Sequence, residues 1–167
     1  PDASLALIRA AIALGRLEAA QTALDHARAV DPELSVLSLH QAQLLTSAQP
    51  EAARDTLASH RSDAVVALFH DALDAVANGQ SALARDLADP NAQAVWAGLV
   101  WLTSQQPAPR VLGTSAELLR HALETASLDG LVIECGVMFG RTLGMLAQWA
   151  GQRCHGFDSF RGKPPVE

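Results

Sequence analysis

Hydrophobic positions recur at helical spacing over most of the chain and at strand spacing only towards its end. Between residues 3 and 104, leucine, valine and alanine return every three or four positions in runs of about 10 to 15 residues. Leu34, Leu37, Leu44 and Leu45 make one such series, and Val65, Leu68, Ala72 and Val76 another. Turn chemistry separates the runs at Gly15, Asp31-Pro32, Ser47 to Pro50, Ser62-Asp63, Asn78-Gly79 and Asp89-Pro90-Asn91. The pattern predicts paired antiparallel helices. Pro50 falls where a first helical turn tolerates it, because its missing N–H would have had no partner there. The segment NAQAVWAGLVWLTSQQ, residues 91–106, is apolar nearly all round and predicts a buried helix.

The helical part carries traces of a repeat. A tetratricopeptide unit places a leucine, small residues four before an apolar one, and a proline at fixed positions within 34 residues, because small side chains let two helices approach closely. Leu7, Ala20, Leu24, Ala27 and Pro32 fall at such places, and Ala53 and Leu57 repeat Ala20 and Leu24 after 33 residues. A third stretch, NGQSALARDLADP, repeats the Gly15–Pro32 pattern in compressed form. The signature tryptophan, glycine and tyrosine of the first helix are missing. The expectation is a degenerate tetratricopeptide-like array of about three hairpins with Ala20, Leu24, Ala53 and Leu57 between the helices. An unrelated helical bundle is the alternative.

The period changes after residue 106. QQPAPR supplies a proline-containing linker, and Thr114 with Glu117 three residues later predicts a capping box at the start of a helix. The expected division is a helical domain over 1–106 and the N-terminal part of an α/β domain over 107–167. Asp129-Gly130 makes a turn, LVIEC reads as a fully buried parallel strand, and Gly136 and Gly140 bracket a bend into a helix over 141–150. Gly151 ends that helix before a second short strand, RCHGFD. Glycines at a strand end let a ligand approach the backbone. Asp158 follows Gly136 by 22 residues, near the roughly 20 at which a carboxylate receives ribose hydroxyls. A nucleoside site is therefore expected, and the lack of a G-x-G-x-x-G run favours S-adenosylmethionine over a dinucleotide. A β-α-β unit whose glycines serve packing alone is the alternative. Met138 and Phe139 within the glycine loop are read as packing residues.

The blocks VIECGVMFGRTLGMLA and HGFDSFRGKPPVE resemble the macrocin O-methyltransferase (TylF/MycF-type) family of class I S-adenosylmethionine-dependent methyltransferases. Members of that family carry a Glu-(Phe/Cys)-Gly-Val-x-x-Gly-x-(Ser/Thr) segment and a Gly-Phe-Asp-Ser-Phe-x-Gly-Leu-Pro segment. The resemblance covers about residues 115–165. It implies that Glu134, Gly136, Gly140 and Thr142 line the methionine side of the cofactor, and that Asp158, Ser159 and Phe160 line the ribose and adenine side. Lys163 stands where leucine is usual and Arg161 where an acidic residue is common. The expected fold is mostly α, with the tetratricopeptide-like hairpins read from the repeat pattern followed by the opening β-α-β of a Rossmann-like sheet. The implied activity is methylation of a hydroxyl on a small molecule or sugar, with Mg²⁺ used by some members. A complete enzyme of this class has a larger sheet, so a longer polypeptide or a second chain is expected to supply the remaining strands, the general base and any metal ligands. The rival expectation is a non-enzymatic interaction module with a vestigial α/β segment.

Composition narrows the partners. At 49% hydrophobic residues the chain is globular in character, and no run reaches the roughly 18 apolar residues of a membrane span. Residues 1–30 lack a signal-peptide pattern, so a cytoplasmic protein is expected. The formal charge of −6 falls entirely within residues 1–106, where six arginines face twelve carboxylates. Phosphate backbones are repelled by such a surface, so the helical part is expected to bind protein or itself, not nucleic acid. Cys135 and Cys154 are placed at opposite ends of neighbouring strands, which disfavours a disulfide. The six histidines show no metal-ligand spacing, and His70, Asp71 and Asp74 share a helix face at most.

Overall fold

The computed structural model of the chain describes residues 2–78, 87–105, 110–126 and 129–162. Among these the protein is mostly helical, with one small parallel sheet of two strands. The helices α1 (Asp2–Ala13), α2 (Leu17–Val30), α3 (Ser35–Leu45), α4 (Pro50–Ala58) and α5 (Ala64–Ala77) each pack on the next.

Local chemistry sets the turns between them. Gly15 closes α1 in the left-handed conformation, φ +68°, and its N–H donates to the Ile12 carbonyl while Arg16 N–H reaches back to Ala11 at 2.9 Å. Pro50 opens α4 in the first turn, as its sequence position predicted. Asp63 caps α5, accepting from the N–H groups of Val65 at 2.9 Å and Val66 at 3.2 Å. The same carboxylate accepts the Ser35 hydroxyl at 3.0 Å, which ties the start of α5 to the start of α3.

Two apolar clusters hold the helices. Ile8, Ala23, Leu24, Ala27 and Leu37 form one, and Ala42, Ala53, Leu57 and Val66 form the other. Ala20, Leu24, Ala53 and Leu57, the residues expected between helices, are all fully buried. Each buried leucine contributes about 1.5–3 kcal/mol, and the alanines beside them allow the helix backbones to close up. Between the clusters Gln41 is buried but paired: it exchanges hydrogen bonds with Gln21 and accepts from Arg28 at 3.2 Å.

Helix α6 (Pro90–Thr103) departs from the burial expected of it. Trp96 is buried, but Val95 and Trp101 are exposed, the latter at 64%. Its main neighbour among the described residues is α5, and one neighbour covers one face however apolar the other faces are. Most of the compressed third repeat lies outside the described residues, as does the middle of the linker.

The chain then returns to the first helices. Gly113 N–H donates to the Ser47 hydroxyl at 3.1 Å, and Gly113 sits so close to the Gln43 backbone that an added Cβ would overlap its carbonyl oxygen. Thr114 and Glu117 form the predicted capping box at the start of α7 (Ser115–Thr125). Strands β1 (Val132–Cys135) and β2 (Cys154–Phe157) pair in parallel around α8 (Arg141–Trp149), with Val132 opposite Cys154 and Cys135 opposite Phe157. The two cysteines therefore stand at opposite ends of the ladder, and both are free.

Strand β1 is not fully buried, contrary to expectation. Its residues alternate, with Ile133 and Cys135 exposed and Val132 and Glu134 half-buried. A fully buried parallel strand needs helices on both faces and strands on both edges. Here α8 covers one face and β2 pairs one edge.

Candidate functional site

The described residues that line the candidate cleft belong to the loops at the C-terminal ends of β1 and β2. The first runs from Gly136 to Gly140 and the second from Asp158 to Gly162. Gly136 has φ +88°, Gly140 +75° and Gly162 +78°, conformations that L side chains rarely adopt. Nothing lies within 4 Å of a Cβ added at Gly136 or Gly162, so backbone conformation and open space, not packing, mark these positions. Gly156 is the opposite case. A Cβ there would lie 2.5 Å from Leu143 and 2.7 Å from Val137, so this glycine lets β2 press against α8.

Asp158 joins the two loops. Its Oδ2 accepts the N–H of Met138 at 2.8 Å and its Oδ1 accepts the N–H of Phe160 at 2.7 Å. The Met138 N–H, followed by that of Phe160, holds the carboxyl below its ordinary range, because both bonds favour the charged form. Gly136 N–H donates to the Phe157 carbonyl at 2.7 Å, which extends the ladder into the first loop.

Between the loops lies a cleft of about 410 Å³, lined by Gly136, Met138, Phe139, Asp158, Phe160 and Gly162. Among the described residues its lining is mostly apolar, and the one charged group is the Asp158 carboxylate. Three of the residues singled out in the sequence, Gly136, Asp158 and Phe160, come together on this lining. Glu134, Gly140, Thr142 and Ser159 do not line it. Glu134 pairs in register with Gly156, on the face that α8 covers, and its Oε2 is buried with no hydrogen-bond partner among the described residues. Gly140 is the N-cap of α8 and offers no side-chain acceptor to the first turn, where Thr142 is half-buried. The Ser159 hydroxyl accepts the N–H of Arg161 at 3.3 Å and shapes the second loop. Lys163 lies outside the described residues.

Met138 and Phe139 are not the packing residues expected from the sequence. Both side chains are exposed, Phe139 at 89%, and both line the cleft. A loop that leaves the end of a strand runs over the surface, and this rule was available from the sequence alone. Gly162 was missed as well; its signal was a glycine four residues beyond the aspartate.

The acidic residues on the His70 face have cationic partners. Asp71 pairs with Arg61 at 2.8 Å and lies 3.4 Å from the His70 ring, and Asp74 pairs with Arg54 at 3.3 Å. Among the described residues no group of three His, Cys, Asp or Glu side chains is placed to hold a metal ion, and no helix is long and apolar enough to cross a membrane. No protein-family model, curated protein sequence or solved structure matches the chain.

Proposed function

We propose that the chain binds S-adenosylmethionine in the strand-end cleft and forms the donor-binding part of an O-methyltransferase of the macrocin type, acting on a hydroxyl of a small molecule or sugar. The observation that carries this reading is Asp158, whose carboxylate stands between two glycine-flanked loops at the C-terminal ends of adjacent parallel strands. Ligands of α/β sheets bind in this crevice. Each oxygen of Asp158 spends one lone pair on a loop N–H and keeps another for a ribose hydroxyl. Phe139 and Phe160 offer apolar surface to a flat base. Among the described residues the lining holds no lysine or arginine, and Asp158 supplies a negative charge that a sulfonium cation tolerates better than a pyrophosphate does. When bound, S-adenosylmethionine supplies an electrophilic methyl group. The residues of this chain bind it, orient it and leave open the side from which an acceptor oxygen approaches in line.

On this reading β1, α8 and β2 open a Rossmann-like sheet, and α1 to α4 are tetratricopeptide-like hairpins; the buried Ala20, Leu24, Ala53 and Leu57 support the latter. A second reading, a protein-interaction module, is favoured by α6. That helix contains no charged residue and exposes Val95 and Trp101. Calorimetric titration of the full chain with S-adenosylhomocysteine and, separately, with ATP decides between them. Saturable binding of the former and none of the latter is expected. No heat from S-adenosylhomocysteine at roughly millimolar concentration leaves the interaction module as the better reading.

A further inference from the structure

The two loops that wall the cleft each contain a non-glycine residue in the left-handed region, Met138 at φ 51° and Phe160 at φ 52°. No other non-glycine residue among those described has a positive φ. An L side chain is disfavoured there because its Cβ crowds the following carbonyl oxygen, and such a conformation persists only when its surroundings hold it. Both residues are held by the same group. The Phe160 bond is local, two residues along the chain, whereas the Met138 bond spans twenty residues and crosses from one strand end to the other.

We propose that Asp158 is a positioning residue as well as a ligand acceptor: by binding the N–H groups of Met138 and Phe160 it keeps both loops in conformations they would not hold alone, and so preforms the cleft for a nucleoside. The inference rests on the reading of the cleft as a nucleoside site and adds to it the means by which the site is kept open. An ionised aspartate suits the task because it accepts through two oxygens at once and donates through neither. Asparagine keeps one acceptor and turns the other position into a donor, which would face an N–H. Loops already in place lose less freedom when the ligand arrives, so affinity depends on both bonds even where the ligand touches neither N–H.

Amide hydrogen exchange on the unliganded full chain tests this, comparing the native protein with Asp158→Asn and Asp158→Ala. Asp158→Asn should speed exchange at one of the two amides, Met138 or Phe160, and Asp158→Ala at both, by about tenfold or more. The Gly136 amide, bonded to the Phe157 carbonyl, should keep its protection and report that the sheet is intact. Native protection at both amides in folded Asp158→Ala overturns the proposal. Should that variant unfold, unchanged protection at both amides in Asp158→Asn overturns it equally. Binding of S-adenosylhomocysteine is measured on the same samples. If the native chain does not bind it while the amides respond as stated, the nucleoside reading fails and the positioning role stands; binding without any amide response gives the reverse.

Discussion

Asp158 and Met138 stand twenty residues apart in the sequence and share a 2.8 Å hydrogen bond between a carboxylate oxygen and a backbone N–H. The bond makes one site out of two strand ends. On the proposed reading, replacing the carboxylate acts on a bound nucleoside and on the loops together. Asp158→Ala is expected to weaken S-adenosylmethionine binding by at least about tenfold, since it removes the charge-assisted acceptor proposed for the ribose hydroxyls. Gly136→Val should do equal or greater harm through its φ of +88° and the space its side chain would fill, while Cys135→Ser, one residue away, should do less. Calorimetry on the three variants ranks them, and native affinity in folded Asp158→Ala would sink the ribose-acceptor role.

Acid should weaken the fold at two defined points. The pKa of Asp63 is lowered first by the Val66 N–H and next by the Ser35 hydroxyl, and that of Asp158 first by the Met138 N–H and next by Phe160. Each folded pKa lies below the ordinary value of 3.8, so the stabilisation is fully present above that value and is lost as pH falls through the folded one. Thermal melts recorded from about pH 6 down to about pH 2 should fall more steeply for the native chain than for Asp63→Asn or Asp158→Asn. Parallel curves would mean that neither carboxylate is linked to folding.

Two glycines should respond in opposite senses to the same added methyl group. Gly113→Ala forces a Cβ onto the Gln43 backbone and is expected to cost about 1–3 kcal/mol. Gly98→Ala meets nothing within 4 Å in the middle of α6 and should stabilise by roughly 0.5–1 kcal/mol. Urea denaturation of both variants is sufficient. A neutral Gly113→Ala would show that the linker does not rest on α3.

The helical part should not retain nucleic acid. Its surplus of carboxylates opposes phosphate, and no basic stripe relieves it. Electrophoretic shift assays with DNA and RNA at low salt should show no complex; a tight, salt-sensitive one contradicts the charge argument.

The helices were legible because their signals are local. Gly15, Asp63, Pro50 and the Thr114–Glu117 pair each act within one turn of chain, and the structure uses all of them as their chemistry dictates. The parallel pairing of β1 with β2 was legible too, since an intervening helix leaves little other choice. What could not be read were properties that belong to neighbours. The apolar composition of α6 says what the helix would prefer to bury, not that three sides of it have partners. LVIEC looks like a strand covered on both faces, yet its coverage depends on how many elements surround it. The close approaches at Gly113 and Gly156 involve residues distant in sequence and leave no pattern beyond the glycine itself. Within the cleft, the aspartate and the two loops stood out, but its double engagement with the backbone did not. That depends on two dihedral angles at Met138 and Phe160, and neither residue type advertises them.

Gly15 lies against the ring of Trp149, where an added Cβ would come within 2.9 Å of the indole, and Arg120 stacks over that ring at 4.7 Å. The protein thereby carries its own optical gauge. Its three tryptophans occupy three environments: Trp96 is buried, Trp101 faces solvent, and Trp149 is half-buried where α8 meets the turn between α1 and α2. With Trp96 and Trp101 replaced by phenylalanine, the remaining emission reports on that one seam. A red shift of this emission ahead of the loss of helical ellipticity would reveal the first hairpin lifting off α8 while its own helices stay folded.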